Sequence, residues 1–184
     1  MVRTQELEGR DHYVVPMVML TVGEHSGSNG PVYYPADELR ESVPAWNGKP
    51  VLCYHSQVHG RGVSASSPEI ANKQKVGVIY NTSFDGTRLK ADAWIDSERI
   101  RFVDERILQT IQLNQQMEVS TGLFMDYDDS QGGVIIARNY RPDHLAILPD
   151  LVGACSVTAG CGLLRNDSND QTFDDEPLLT VGWM

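Results

Sequence analysis

The sequence has no excess of basic residues and no long apolar run. Its 184 residues include 15 lysines and arginines against 25 acidic residues, which gives a net charge of −10. Sequence-independent binding of nucleic acid needs a basic face, and anionic membranes attract basic segments, so this balance argues against both kinds of partner. No apolar run approaches the roughly 20 residues of a membrane-spanning helix. Residues 1–6 also lack the apolar core of a signal peptide.

Cysteine is scarce as well, and glycine-rich phosphate-binding motifs are missing. Cys53, Cys155 and Cys161 are an odd number without a tight framework, which predicts reduced, buried thiols in a cytosolic setting. The glycines show no phosphate-loop spacing, so no nucleotide cofactor is expected. The rest is ordinary for a globular protein, with 41% hydrophobic and 22% charged residues in a length that suits one domain with a core.

Composition divides the chain into three parts. Residues 1–11 are polar, which predicts a flexible N-terminus, and residues 12–165 carry the apolar patterns of a folded domain. Residues 166–184 are rich in acidic side chains, so we expect an acidic, mostly disordered tail that the fold does not need.

Periodicity and turn residues predict a chain of mixed α/β content. An apolar, β-branched run predicts a strand at 13–22, with Pro16 at an edge or bulge, and residues 23–31 are typical of a loop. Ser97 is expected to cap the clearest helix, whose apolar residues recur at helical spacing through Ile111. The other expected elements are a short helix from Pro35, a strand at 51–54, a hairpin of 75–83 with 89–95, and strands at 118–124, 134–137 and 145–148.

The stretch Glu-Val-Ser-Thr-Gly-Leu-Phe at 118–124 places a hydroxyl near a glycine in a predicted strand. Because strand side chains alternate, Ser120 and Gly122 share one face. The missing side chain at Gly122 leaves room for another backbone or a substrate to approach. Ser120 is therefore a candidate nucleophile, although most strand serines are solvated or bond to backbone.

Two histidines lie in settings that suit catalysis. His55 follows the strand at 51–54 and precedes a mobile loop at 56–68, a junction where functional side chains are often placed. A serine hydroxyl is a poor nucleophile until an imidazole removes its proton, and a third group, here His144, must orient that imidazole. The alternative is two structural histidines and a surface serine. On the residues alone this alternative is the commoner case, because triads are defined by geometry and not by order.

Other chemistries fit the same residues less well. His55 and His59 are four apart, which suits a metal on a helix, but their surroundings are loop-like. A zinc site there would need Cys155 or Cys161 as a further ligand. A small-molecule esterase is expected to carry a Gly-x-Ser-x-Gly elbow, which does not surround Ser120. No metal or other cofactor is therefore predicted.

Several motifs, in order along the chain, resemble those of tailed-phage head proteins. They are Trp-Asn-Gly-Lys-Pro-Val at 46–51, Tyr-His at 54–55, Lys-Ala-Asp-Ala-Trp-Ile-Asp at 90–96, Glu-Val-Ser-Thr-Gly-Leu-Phe at 118–124, Arg-Pro-Asp-His-Leu-Ala-Ile-Leu-Pro-Asp at 141–150 and Gly-Ala-Cys-Ser at 153–156. The family they resemble is that of the capsid maturation (prohead) proteases, whose fold is similar to the herpesvirus assemblins. The resemblance covers residues 12–165.

This resemblance implies a mixed α/β fold (α+β), a mainly antiparallel β-barrel surrounded by helices, and a serine endopeptidase, a hydrolase with a Ser-His-His triad. Ser120 is then the nucleophile, His55 the general base and His144 the orienting residue, in a place that is often acidic in phage enzymes. Backbone amides of Asn139 and Arg141 are expected to form the oxyanion site.

The resemblance also implies a biological setting in virion assembly. The substrates are expected to be the phage major capsid protein and its scaffold, processed inside the assembling procapsid in the host cytoplasm. A homodimer is suggested because assemblins dimerise. The alternative is a non-enzymatic head protein, a scaffold or shell component that keeps the protease fold without the activity.

His144 and its neighbour Asp143 compete for the third role. Adjacent strand residues point to opposite faces, so only one can meet His55, and the resemblance favours His144. Asp143→Ala is then expected to leave the rate largely intact. A neutral His144 supplies no carboxylate charge, which predicts a slow enzyme. An ordinary imidazole as base predicts activity that rises through about pH 6 to 7.

Overall fold

The computed structural model of the chain describes residues 2–27, 30–130 and 132–165. The predicted acidic tail, residues 166–184, lies outside the described residues. The strands are β1 (Arg3–Leu7), β2 (Arg10–Thr21), β3 (Gly23–Gly27), β4 (Gly30–Tyr34), β5 (Pro50–Cys53), β6 (Gln57–Val58), β7 (Arg61–Gly62), β8 (Lys75–Phe84), β9 (Arg88–Asp96), β10 (Glu118–Asp128), β11 (Ile136–Leu148) and β12 (Gly162–Leu163). The helices are α1 (Ala36–Trp46), α2 (Pro68–Gln74), α3 (Arg99–Val103) and α4 (Glu105–Gln112). This mixture, dominated by sheet, confirms the predicted mixed α/β content.

One sheet joins all of these strands except β6 and β7, which pair with each other. Its order is β1-β2-β9-β8-β5-β11-β4-β3, with β10 paired to β11 and β12 paired to β2. All pairs are antiparallel except those of β11 with β4 and β5. An isolated bridge between Met117 and Leu163 connects the start of β10 to β12. β11 therefore lies between β10, which carries Ser120, and β5, which precedes His55.

The hydrophobic core lies against the long strands. Residues 89–95 of β9 alternate between buried and half-buried, the pattern of a strand with one covered face. α1 packs on β8 and β11 and buries Trp46 completely. The indole N–H of Trp46 donates to Oγ of Ser42 (3.2 Å), whose hydroxyl donates to the carbonyl of Leu39 (2.9 Å). The polar atoms on the buried side of α1 are thus satisfied within the helix itself.

The sequence-based prediction is wrong for two polar segments. Within the predicted flexible arm, residues 1–11, Arg3–Leu7 is a strand that pairs with β2. Within the predicted loop, residues 23–31, Gly23–Gly27 is a strand that pairs with β4. Backbone hydrogen bonds order these strands, a contribution that hydrophobic periodicity does not detect.

Pro16 lies inside β2, opposite Asp92 of β9, and not at a sheet edge. On the other side of β2, β1 pairs only as far as Val14 and β12 begins at Met17. The missing N–H of Pro16 therefore falls in the gap between two partner strands. Its carbonyl still accepts a hydrogen bond from the amide of Leu164 (2.8 Å).

The single helix predicted to follow Ser97 is two helices, α3 and α4. At the start of α3 the side chain that accepts a helix amide is Asp96 and not Ser97, because Oδ1 of Asp96 accepts the amide of Arg99 (2.8 Å). Asp104 then starts the second by accepting the amide of Arg106 (3.0 Å). None of the helices in the described ranges is long and apolar enough to cross a membrane.

Candidate active site

Ser120 is half-buried within β10, and the strand predicted there is confirmed. In the antiparallel pair of β10 and β11, Ser120 lies opposite Ala146 and Gly122 lies opposite His144. A Cβ built on Gly122 would overlap the ring of His144. The space left by the missing side chain therefore holds an imidazole, where the sequence suggested a backbone or a substrate.

His55 follows β5 by one intervening residue, Tyr54. Tyr54 has a positive φ of 65°, in the left-handed region that residues other than glycine rarely adopt. Its amide donates to the carbonyl of Ile147 (3.0 Å) and its hydroxyl donates to Asp150 (2.7 Å). The guanidinium of Arg106 donates to the same hydroxyl (2.8 Å). These bonds hold the turn that brings His55 to β11.

His55 and His144 form a hydrogen-bonded pair. Nδ1 of His55 lies 2.9 Å from Nε2 of His144, and the two rings meet at an angle of 72°. Burial lowers the pKa of both imidazoles, that of His55 to about 4, where repulsion by a protonated His144 adds to the effect. Both rings are therefore neutral at pH 7, which is the form that a general base needs.

Asp143 contacts His144, contrary to the alternation expected for neighbours in a strand. The register with β10 shifts between the pair at His144 and the pair at Pro142, so Asp143 is the extra residue of a β-bulge. Oδ2 of Asp143 lies 2.8 Å from Nδ1 of His144. The expectation of opposite faces is therefore wrong: His144 meets His55, and Asp143 meets His144.

A second segment holds the carboxylate of Asp143 from the other side. Oγ of Ser64 donates to Oδ1 (2.6 Å), and the amide of Ala65 donates to Oδ2 (2.9 Å). Burial raises the pKa of Asp143, but these bonds and the contact with His144 outweigh it and hold the pKa below its usual range. Asp143 is therefore an ionised carboxylate at neutral pH.

The segment between His55 and Ser64 is a short hairpin, β6 with β7, and not the open loop that its composition suggested. Two hydrogen bonds close its base: the amide of Val63 donates to the carbonyl of Ser56 (3.1 Å), and the hydroxyl of Ser56 donates to the carbonyl of Val63 (2.5 Å). Ala65 is buried in a small apolar cluster. The segment that binds Asp143 is thus packed and hydrogen-bonded on its own account.

A cleft of about 670 Å³ is lined by Ser120, His55, His144 and Asp143. Its remaining walls are largely apolar and come from β2, the β3–β4 and β6–β7 hairpins, β10 and the loop after β11. Among the described residues that line it there is no lysine, arginine or glutamate. In the described part of the chain, Oγ of Ser120 and Nε2 of His55 make no hydrogen bond with each other or with another residue.

The amides predicted to form the oxyanion site lie elsewhere. The amide of Asn139 donates to Glu38 (2.9 Å), so it is not free to bind a developing negative charge. The side chain of Arg141 lies against Asp126 (3.4 Å). Neither Asn139 nor Arg141 lines the cleft that contains Ser120. The prediction is therefore wrong for the amide of Asn139, and Arg141 lies outside the cleft.

The loop after β11 lines the cleft and is fastened to the strand of the candidate nucleophile. Glu118, two residues before Ser120, accepts the amides of Gly153 (3.2 Å) and Val157 (2.9 Å). Gly153 also lies so close to the carbonyl of Val119 that a Cβ on Gly153 would overlap it. The Glu-Val-Ser sequence at 118–120 therefore carries the candidate nucleophile and also holds the loop after β11 next to it.

Two of the three cysteines are not reduced thiols, which corrects the expectation from the sequence. Cys155 and Cys161 form a disulfide with their Cα atoms 5.6 Å apart, and Cys53 is free and buried. Because the paired sulfurs carry no free thiol, neither can be the further ligand of a zinc site with His55 and His59. In the described ranges, no group of three or more histidine, cysteine or acidic side chains could hold a metal ion.

The contribution of Ser64 and the acceptor role of Asp143 were not predicted from the sequence. A signal for Asp143 was available in Pro142, since proline inside a strand pattern marks an edge or a bulge. No comparable signal marks Ser64, because its contact with Asp143 joins residues 79 positions apart. The β3–β4 hairpin, taken for a loop, was also missed as a wall of the cleft.

Comparison with known proteins identifies no relative of this chain. No protein-family model matches the chain, and neither a curated protein nor a solved structure matches it. The interpretation of the cleft therefore depends on its own geometry.

Proposed function

We propose that the chain is a serine endopeptidase, with Ser120 as the nucleophile, His55 as the general base and His144 as the residue that orients the base. The observation that carries the proposal is the hydrogen bond of 2.9 Å between His55 and His144 in a cleft that Ser120 also lines. Acyl transfer requires a neutral imidazole, oriented by a second group, in the same cleft as a serine that it can deprotonate when substrate binds.

The reaction follows the usual two steps of a serine hydrolase. Oγ of Ser120 attacks the peptide carbonyl while Nε2 of His55 takes the hydroxyl proton, and that proton then passes to the leaving amine. A water molecule next attacks the acyl-enzyme and gives a proton to His55. His55 then returns that proton to Oγ of Ser120 as the bond to the acyl group breaks, which releases the acid product and the free serine. The largely apolar walls of the cleft favour uncharged side chains of the substrate around the scissile bond.

The proposal includes the setting implied by the motif resemblance, a capsid maturation protease of a tailed phage. The fold proposed with it is a mainly antiparallel β-barrel surrounded by helices. The bridge between Met117 and Leu163 supports this closure, because it links β10 through β12 to β2. The proposed substrates are the major capsid protein and scaffold inside the procapsid in the host cytoplasm, with a homodimer as the proposed assembly.

A fluorophosphonate, which forms a covalent bond with activated serines, tests the proposal without knowledge of the substrate. Intact mass after incubation should show one adduct on the wild-type chain and none on Ser120→Ala. Ser83→Ala is the matched control, since Ser83 is an exposed strand serine outside the cleft, and it should label like the wild type. A wild-type chain that stays unlabelled would remove the protease proposal.

Processing of a capsid precursor tests the biological part of the proposal. After co-expression with the precursor, wild-type samples should contain shortened precursor, and Ser120→Ala samples should contain it at full length. A chain that labels with fluorophosphonate but leaves capsid and scaffold proteins intact would be a serine hydrolase with another substrate. Absence of both labelling and processing is what a non-enzymatic head protein predicts.

A further inference from the structure

Asp143 is a carboxylate with a closed set of partners. Its side chain is 12% exposed, and an ionised carboxylate can only accept hydrogen bonds. Ser64 and the amide of Ala65 donate to it from one side. Nδ1 of His144 lies 2.8 Å from Oδ2 on the other side, so Nδ1 of His144 must be the donor in that contact.

This donor assignment determines the proton positions along the pair of histidines. A neutral imidazole protonated on Nδ1 has its lone pair on Nε2, so Nε2 of His144 must accept. The contact of 2.9 Å between that atom and Nδ1 of His55 then requires a proton on Nδ1 of His55. The remaining nitrogen of His55, Nε2, carries the lone pair, and it is the nitrogen that the serine proton must reach.

We propose that Asp143 is a positioning residue that acts through His144 to hold His55 in the tautomer with a free Nε2. The site is then a chain of four residues, Ser120, His55, His144 and Asp143, in which the last never touches the substrate. This inference rests on the proposed function for its catalytic consequence, while the proton positions it assigns can be measured without any substrate.

The same chain supplies the negative charge that a Ser-His-His triad lacks. When His55 becomes positively charged during the reaction, the ionised Asp143 lies one imidazole away and stabilises that charge through His144. The bulge makes this possible, because regular alternation would place the carboxylate on the opposite face of β11. The sequence-based expectation that Asp143→Ala leaves the rate intact is replaced by the expectation of a loss.

The first experiment is ¹⁵N NMR of the histidine rings in the folded wild-type chain at pH 7. The chain has five histidines, so single substitutions assign the signals. The expected result is a protonated Nδ1 and an unprotonated Nε2 for both His55 and His144. A wild-type spectrum in which His144 carries its proton on Nε2 would overturn the inference, whether or not any variant folds.

Two substitutions then separate the tautomer from the charge. Asp143→Ala removes the acceptor, so His144 should lose its fixed tautomer. Fluorophosphonate labelling should slow by about 10- to 100-fold, the range seen when the carboxylate partner of a metal-ligating histidine is removed. In Asp143→Asn the amide of Ala65 still requires an oxygen at the position of Oδ2, and that oxygen also faces Nδ1 of His144. The proton on Nδ1 of His144 should therefore persist. Labelling should slow by a smaller factor, because only the charge is lost.

Asp11→Ala is the matched control. Asp11 also precedes a buried histidine in a strand, but it is exposed and lies outside the cleft. Its removal should leave the ring signals of His55 and His144 and the labelling rate unchanged. If Asp143→Ala keeps both the wild-type tautomer and the wild-type rate, the inference fails while the protease proposal stands. If the tautomers are as assigned but Ser120 never labels, the protease proposal fails and the assignment of proton positions stands.

Discussion

The Asp-His dipeptide occurs in two long strands of this molecule, and the two copies behave differently. His12 in β2 and His144 in β11 are equally buried, each 6% exposed. In β2 the pairing is regular at this point, Asp11 points to solvent, and Nδ1 of His12 bonds the carbonyl of Arg10 (2.9 Å). In β11 the bulge turns Asp143 onto the neighbouring ring.

The comparison shows that a backbone irregularity, and not residue type, separates a structural histidine from one built into a hydrogen-bonded chain. In a strand with regular alternation, the buried histidine has no neighbouring carboxylate on its face, and one ring nitrogen donates to a backbone carbonyl instead. The bulge at Asp143 gives His144 a side-chain acceptor on one nitrogen and leaves the other for His55. Only in the second arrangement does the tautomer of one histidine determine the tautomer of another.

The largest expected difference comes from removing one histidine of each kind. His55→Ala should slow fluorophosphonate labelling by about 10⁴- to 10⁶-fold, the loss seen when a member of a catalytic triad is removed. His12→Ala should label at the wild-type rate, because His12 does not line the cleft. It should instead lower the free energy of unfolding by about 2 kcal/mol, as a truncation of a buried side chain does. Intact mass against time and urea unfolding measure the two effects.

These two substitutions also test whether labelling depends on the histidines of the cleft and not on the structural histidine of β2. Equal losses of labelling in His12→Ala and His55→Ala, with both chains folded, would show that the cleft depends on β2 as much as on its own histidines. Full labelling of His55→Ala would exclude it as the base. His59→Ala, in the turn of the β6–β7 hairpin, should have little effect because His59 does not line the cleft.

A smaller loss should follow from pushing His144 out of place. Gly122→Ala adds a Cβ where the ring of His144 lies, so the ring must move and the contact with His55 must lengthen. Misplacement of a functional group by about 1 Å can cost on the order of 10²-fold in rate, and labelling should slow by about that factor. Labelling kinetics of the purified, folded variant measure the loss.

Gly62→Ala is the matched control for Gly122→Ala. Gly62 also lines the cleft, but a Cβ on it meets no atom within 4 Å. Its backbone does not need the left-handed region. If both variants lose the same rate, the loss comes from crowding of the cleft and not from displacement of His144.

Much of the architecture was predictable from the sequence, and the misses share one physical cause. The hairpin of β8 and β9 and the strand of Ser120 follow from alternation and from turn residues, which act locally. The bulge at Asp143 and the strand Arg3–Leu7 depend instead on backbone pairing, with β10 and with β2 respectively, and Arg3–Leu7 is too exposed to show an apolar alternation. Local patterns do not record such pairing, so the residue types of the site were predictable and the link from Asp143 to His144 was not.

A smaller loss of labelling rate is expected from a substitution at Ser64, whose hydroxyl donates to Asp143. Ser64→Ala removes one of the bonds to the carboxylate and leaves those of Ala65 and His144. A hydrogen bond to a charged group contributes about 1.5 to 3 kcal/mol to stability, but the other two bonds hold Asp143 in place, so labelling should slow by only about 10-fold or less. Ser66→Ala, in the same loop with an exposed side chain, should show no loss. A loss at Ser66 equal to that at Ser64 would show that the loop, and not the bond to Asp143, matters.

The smallest expected effect is that of mild acid on the rate, and it distinguishes the buried pair from an ordinary imidazole. With the ordinary pKa of about 6.5, most of the base is protonated at pH 5.5, and labelling should slow about tenfold relative to a plateau at high pH. Because burial lowers the pKa of His55 to about 4, the base stays neutral at pH 5.5 and the rate should hardly change. The rise through pH 6 to 7 expected from the sequence is replaced by a rise near pH 4. A steep fall between pH 7 and pH 5.5 in a folded chain would contradict the buried environment of His55.

That pH experiment needs a check on stability, because the same lowered pKa destabilises the folded chain in acid. In the unfolded chain the two histidines bind protons below about pH 6.5, whereas in the folded chain His55 stays neutral until about pH 4. The unfolded state therefore binds more protons between these values, and the free energy of unfolding should fall as the pH drops through them. Urea unfolding at pH 7 and pH 5.5 should show this fall in the wild type and a smaller one in His55→Ala, which has one buried imidazole fewer. A rate that stays constant while stability falls would assign both effects to the neutral, buried histidine pair, and equal falls in the two chains would remove His55 as the cause.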